Sequence, residues 1–179
     1  MVSDKASALF MSRIAPHLDD AFSLARWLCG NRADAEDIVQ EASMRALRAV
    51  ESQRGDQPRA WFLAIVRNSA FTWLGKNRPK ELVYTDDIAA AEEQSGPARE
   101  AHKAAPDAEA GLIAKADAAR LEAGIMGLAP IYREMIVMRE LNGMDYRAIA
   151  GAVGAPIGTV MSRLARARRL LTANLSEPI

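Results

Sequence analysis

Asp145-Tyr146-Arg147-Ala148-Ile149-Ala150-Gly151-Ala152-Val153-Gly154-Ala155-Pro156-Ile157-Gly158-Thr159-Val160-Met161-Ser162-Arg163-Leu164 is the stretch whose reading decides the fold. It reads as a short helix, a glycine-bearing turn and a second helix. Asp145 is placed to cap the first helix, because its carboxylate can accept from free amides of the first turn. Gly154 can take the positive φ needed to leave that helix. Pro156 has no amide hydrogen to lose and suits the first turn of the second helix. Ile157, Val160, Leu164, Ala167 and Leu171 recur at spacings of three and four, which is one helical face. The opposite face carries Gly158, Thr159, Ser162, Arg166 and Arg169, flanked by Arg163 and Arg168. An apolar stripe would dock this helix and leave a polar, cationic side outward, as a helix entering a DNA major groove requires. A solvated amphipathic helix has a similar pattern. The charge map weighs against it: Tyr146 to Ser176 holds five arginines and no acid, whereas an ordinary solvated face mixes signs.

Working outward, 179 residues allow one or two small domains with their own cores. Half the residues are hydrophobic and 26% charged, a globular composition. The apolar runs are too short to span a bilayer, and the N-terminus lacks a secretory apolar core, so no membrane insertion and a cytoplasmic location are expected. The single cysteine, Cys29, excludes an internal disulfide and reads as a small buried hydrophobe. Two isolated histidines, His17 and His102, make no metal site with it. No nucleophile–base constellation or phosphate loop is visible, so neither an enzyme, a cofactor nor a small-molecule substrate is expected.

Formal net charge is zero, but the charges are segregated. Residues 57–80 carry five bases and no acid, residues 81–117 nine acids against three bases, and residues 146–179 five bases against one acid. Two cationic surfaces flanking a segment that repels DNA follow from this order.

Residues 1–30 read as a first helical region, with Leu18, Phe22, Ala25, Trp27 and Leu28 as apolar contacts and Gly30-Asn31 as its end. Residues 34–50 form the clearest helix, capped by Asp34, with Ala35, Ile38, Val39, Ala42, Ala46 and Val50 inward. Asp34, Asp37 and Glu41 share an outer face. That face is either simply solvated or an acidic edge for a basic partner. Residues 57–78 form the next helix, opened by Pro58 and ended by Pro79. Arg67, Phe71, Gly75 and Arg78 share one side, with Asn68 and Lys76 nearby. Cations with an exposed ring and an amide suit melted DNA, where rings stack on unpaired bases. Alternatively Phe71 and Trp61 are core and the bases solubilise the helix. Residues 80–116, rich in Ala and Glu with Pro97 and Pro106, read as a partly disordered linker. Leu121, Ile125, Leu128, Ile131, Ile136, Val137, Met138 and Leu141 then build a second core, broken by Gly127-Leu128-Ala129-Pro130 and closed by Asn142-Gly143.

In this order the pieces resemble the extracytoplasmic-function (ECF) group of bacterial sigma factors, a branch of the sigma-70 family. Asp-Ala-Glu-Asp-Ile-Val-Gln-Glu (34–41) is similar to the core-binding segment of that family's region 2. Pro-Arg-Ala-Trp-Phe-Leu-Ala-Ile-Val-Arg-Asn (58–68) is similar to its minus-ten segment. Tyr132 to Tyr146 and Gly158 to Arg168 are similar to its region 4. The resemblance implies an all-α fold of two small helical domains, at residues 10–80 and 116–176, joined by a flexible acidic linker at 81–115. It implies a factor that binds core RNA polymerase, directs transcription initiation at promoter DNA, and is controlled by an anti-sigma factor. It assigns Asp34, Asp37, Gln40 and Glu41 to polymerase. It assigns Arg67, Asn68, Phe71, Lys76 and Arg78 to the minus-ten element. It assigns Thr159, Met161, Ser162, Arg163, Arg166 and Arg169 to the minus-thirty-five element. Thr72, Gly75 and Met161 depart from residues common in the family, so the family's promoter sequence is not carried over. A stand-alone helix-turn-helix regulator is the competing reading. It would bind a palindrome as a dimer.

Overall fold

The computed structural model describes residues 3–77 and 110–176. The expected linker at 81–115 therefore lies mostly outside the described residues, as does Arg78. No strand occurs among the described residues; every regular element is helical.

The first half contains four helices: α1 (Asp4–Arg13), α2 (Leu18–Cys29), α3 (Arg32–Ala49) and α4 (Pro58–Asn77). Ser3 caps α1 by accepting from the amide of Ala6. A short 3-10 turn at Ala15–His17 links α1 to α2. Gly30 ends α2 with φ 91°, a left-handed geometry that a side chain resists. Asn31, not Asp34, caps α3: its side-chain oxygen accepts from the amide of Asp34 at 2.9 Å. The cap lies three residues ahead of the expected one because Asn is as good a cap as Asp and α2 has just ended. Asp34 instead occupies the first turn, where its charge favours the macrodipole.

Ala35, Ile38, Ala42, Ala46 and Val50 are buried as the period required, while Val39 lies at the margin. Leu24, Leu28, Phe62, Leu63, Val66 and Leu74 close the core of this half with no exposed surface. Helix α4 buries residues around most of its circumference. A helix apolar on all sides is covered on all sides: α2 and α3 cover one face of α4, and the second half covers another.

The second half comprises α5 (Ala110–Met126), α6 (Pro130–Ile136), α7 (Tyr146–Val153) and α8 (Ile157–Ser176). Helix α5 starts six residues before the expected Ala116, since Ala, Leu and Lys carry strong helix propensity even without an apolar stripe. Residues 115–121 of α5 are exposed, and Leu121 is 44% exposed rather than core. Pro130 opens α6, all seven residues of which are buried. The helix continues with π-helical geometry over Val137–Leu141, and Gly143 turns the chain at φ 63°. Leu141 ends up exposed.

Asp145 caps α7 by accepting from Ala148, and Gly154 closes it at φ 67°. The carbonyl of Pro156 accepts from Val160, which places Pro156 just ahead of α8. Helices α7 and α8 meet at 101°, within the range of a helix-turn-helix. Val160, Leu164 and Ala167 of α8 are buried against this core, whereas Ile157 at its first position is 42% exposed.

Candidate polymerase and nucleic-acid interfaces

Three surfaces carry the residues selected from the sequence. On α3, Asp37, Gln40 and Glu41 are exposed and Asp34 is half-buried. Glu41 pairs with Arg45 one turn on, an exposed contact of little energetic weight. The outer edge of α3 is therefore an acidic strip standing clear of the core, with Met44 beside it 45% exposed.

On α4 the four expected residues that the structure describes do not form one open face. Asn68 and Lys76 are exposed. Phe71 is only 5% exposed, which corrects the expectation of a ring presented for stacking. Arg67 lies over that ring, 4.5 Å from its centroid. Its Nε and Nη2 donate to the Glu134 carboxylate at 2.5 and 3.0 Å. Periodicity put Arg67 and Phe71 on the same side of α4 correctly. Glu134 of the second half reaches that side at Arg67.

On α8, Met161, Ser162 and Arg169 are exposed, and Thr159, Arg163 and Arg166 are half-buried. The Ser162 hydroxyl donates to the Thr159 carbonyl at 2.9 Å. Arg166 leans inward over the ring of Tyr132, 5.7 Å from its centroid. Arg168 donates to Glu140 at 2.7 Å, which neutralises part of the flank. The outward cationic surface is thus narrower than the arginine count suggested.

Residues not selected from the sequence hold the two halves together. Arg133 is buried and donates to the carbonyls of Trp27 and Leu28 at the end of α2 and of Leu128 in the turn between α5 and α6. Arg59 donates to the carbonyl of Asn142 and to Asp20. Asn142 donates to the carbonyl of Asp20 at 3.1 Å. Gly151 of α7 faces Ala60 of α4, and a Cβ built on it would lie 4.0 Å from that of Ala60. The available signal was a pair of charged residues, Arg133-Glu134, inside an apolar run. Such residues are buried only when paired or hydrogen-bonded.

No group of three His, Cys, Asp or Glu among the described residues could hold a metal ion. No single described helix is long and apolar enough to cross a membrane. Cys29 is buried, and burial pushes its thiol pKa up, away from the reactive thiolate.

Residues 14–79 match the family model for sigma-70 region 2, and residues 118–171 match that for sigma-70 region 4. The chain is 32% identical over 150 residues to the ECF RNA polymerase sigma-E factor of Escherichia coli, covering 82% of this chain and 75% of that one. It is 29% identical over 167 residues to the ECF RNA polymerase sigma factor SigE of Mycolicibacterium smegmatis, spanning 92% of this chain but 60% of that longer protein. The solved sigma factor RpoE of Bartonella quintana, in complex with the anti-sigma factor NepR, superposes with a TM-score of 0.68 at 25% identity, over 95% of this chain and 98% of that one. CnrH, solved with the cytosolic domain of CnrY, shares the fold at a TM-score of 0.63 and 24% identity, over 93% and 86% of the two chains. The chain belongs to the ECF sigma factors of the sigma-70 family. Its relatives are transcription-initiation factors rather than enzymes.

Proposed function

We propose that the chain is an alternative sigma factor that acts in the cytoplasm, binds core RNA polymerase, directs it to promoter DNA, and is held in reserve by an anti-sigma factor. The observation that carries the polymerase contact is the acidic strip of Asp37, Gln40 and Glu41 on α3, with Asp34 at its start. The Asp37 and Glu41 carboxylates serve no core contact, and the pairing of Glu41 with Arg45 is exposed, so this edge can meet a basic surface. Asn68, Lys76 and Arg78, with Arg67 and Phe71 once uncovered, contact the opened minus-ten strand. Thr159, Met161, Ser162 and Arg163 in the first turns of α8 face the minus-thirty-five duplex. Arg166 and Arg169 lie farther along the same helix. Residues 10–80 and 116–176 act as the two modules, joined by the acidic 81–115 segment.

The anti-sigma assignment rests on the Bartonella relative, which was solved in complex with the anti-sigma factor NepR. Size-exclusion chromatography with core RNA polymerase tests the reading. Co-elution as a one-to-one complex is expected. A free homodimer that ignores polymerase would instead indicate a stand-alone regulator.

A further inference from the structure

The first turns of α8 present carbon rather than charge. Ile157 and Met161 stand one turn apart on the same side of the helix and are 42% and 53% exposed. Ala165, one turn further along that side, is exposed as well. Single exposed apolar residues are ordinary, but these three form a ridge at i, i+4 spacing. The polar groups beside the ridge are drawn elsewhere. The Ser162 hydroxyl donates to the Thr159 carbonyl at 2.9 Å. Arg163 is half-buried, and its charge acts on the buried Glu134 carboxyl. Arg166 leans over the ring of Tyr132. The next exposed cations of α8, Arg168 and Arg169, lie about three turns from the helix start.

Gly158 indicates a close neighbour from outside the fold. A Cβ built on it meets nothing within 4 Å, so packing requires no glycine there, and glycine is a poorer helix former than alanine. Bare backbone at that position lets another surface come close beside Ile157. Exposed arginines on both helices of the motif, Arg147 on α7 and Arg169 on α8, suit an anionic partner.

The ridge selects within such a partner. Guanine is read by a side-chain cation, whereas the thymine C5-methyl group is read by apolar contact in the major groove. Side chains one turn apart stand about 5–6 Å from each other, which lies between one and two steps of about 3.4 Å along a strand. We propose that Ile157 and Met161 read thymine methyl groups at one or two neighbouring A·T pairs, so that apolar contact as well as charge sets promoter choice at α8. The inference rests on the function proposed above, which puts α8 on duplex DNA.

Holoenzyme formed from core polymerase and the full chain, used to select promoter duplexes from random sequence, tests this. Each thymine of the minus-thirty-five element is then replaced by uracil, one at a time and on either strand. The exchange removes a methyl group and keeps the base pairing. At one or two positions it is expected to weaken holoenzyme binding about fourfold, the effect of one buried carbon. Met161→Ala and Ile157→Ala are each expected to weaken binding to the thymine duplex and to erase the difference at one of these positions. Met161→Leu is expected to keep it. All three substitutions fall at exposed positions and introduce good helix formers, so the fold is retained.

A selected element without thymine overturns the proposal, as does binding indifferent to every uracil. A methyl effect that survives both Met161→Ala and Ile157→Ala also overturns it. Arg169→Ala then separates the two failures. Weaker binding to all duplexes would leave α8 on DNA and sink methyl reading alone. Unchanged binding would sink the functional reading of α8 as well.

Discussion

Arg67 and Phe71, one turn apart on α4, form a stacked pair 4.5 Å from guanidinium to ring centroid, and the same guanidinium closes on Glu134. Basic and aromatic residues at this spacing suggest a surface for unpaired bases. In the structure Arg67 instead bridges the two domains through Glu134, and Phe71 is buried beside it. The pair therefore has a structural role that any experiment on promoter opening must separate from a role on DNA.

Phe71→Ala is accordingly expected to destabilise the free protein, because removing a buried phenyl ring costs about 3–5 kcal/mol. Asn68→Ala, at an exposed position on the same helix, is expected to change stability by no more than about 0.5 kcal/mol. In holoenzyme, both are expected to reduce permanganate reactivity of thymines in the opened region. Chemical denaturation and footprinting together check this. Normal opening by both variants would remove Asn68 and Phe71 from the minus-ten surface.

The acidic edge of α3 gives a cleaner test, because no core packing depends on it. Asp37→Arg with Glu41→Arg is expected to weaken binding to core polymerase while leaving the circular dichroism spectrum unchanged. The loss of the Glu41–Arg45 contact is expected to cost at most about 0.5 kcal/mol. A pull-down showing native affinity would sink the assignment of this edge.

Along α8, exposure separates two arginines. Arg169 is exposed and lies farther from the helix start. Its replacement by alanine is expected to weaken binding to all duplexes alike and reduce the salt slope by about one unit. Arg166 is half-buried over Tyr132. If it swings out to pair with a guanine, Arg166→Ala is expected to cost about 1–3 kcal/mol at one base pair. Fluorescence anisotropy on promoter and scrambled duplexes over a salt series distinguishes the two. Equal losses on both duplexes would leave base reading to Thr159, Met161, Ser162 and Arg163.

Local chemistry was legible in the sequence wherever it was carried by neighbouring residues. Asp145, Gly154 and Gly30 cap or end their helices as read, because a cap needs only a few consecutive residues. The inward stripe of α3 followed from period alone. What a face meets is a different matter. Periodicity grouped Arg67 with Phe71 but could not show that Glu134 of α6, more than fifty residues later, would hold Arg67. Leu121 and Ile157 fit an apolar spacing yet remain outside, because the helix positions they occupy lie beyond the packed part of the body. Glu134 and Arg133 were visible as charges within an apolar run. Their partners, Arg67 and the carbonyls of Trp27 and Leu28, come from the other half of the chain.

The most direct test is transcription reconstituted from core polymerase, this chain and a promoter recovered by sequencing transcripts after overexpression. Run-off transcripts are expected only when the chain is present, starting at one position, and lost with Asp37→Arg and Glu41→Arg. Transcripts that do not depend on the chain, beside a chain that binds the same duplex as a dimer without polymerase, would contradict the sigma-factor account.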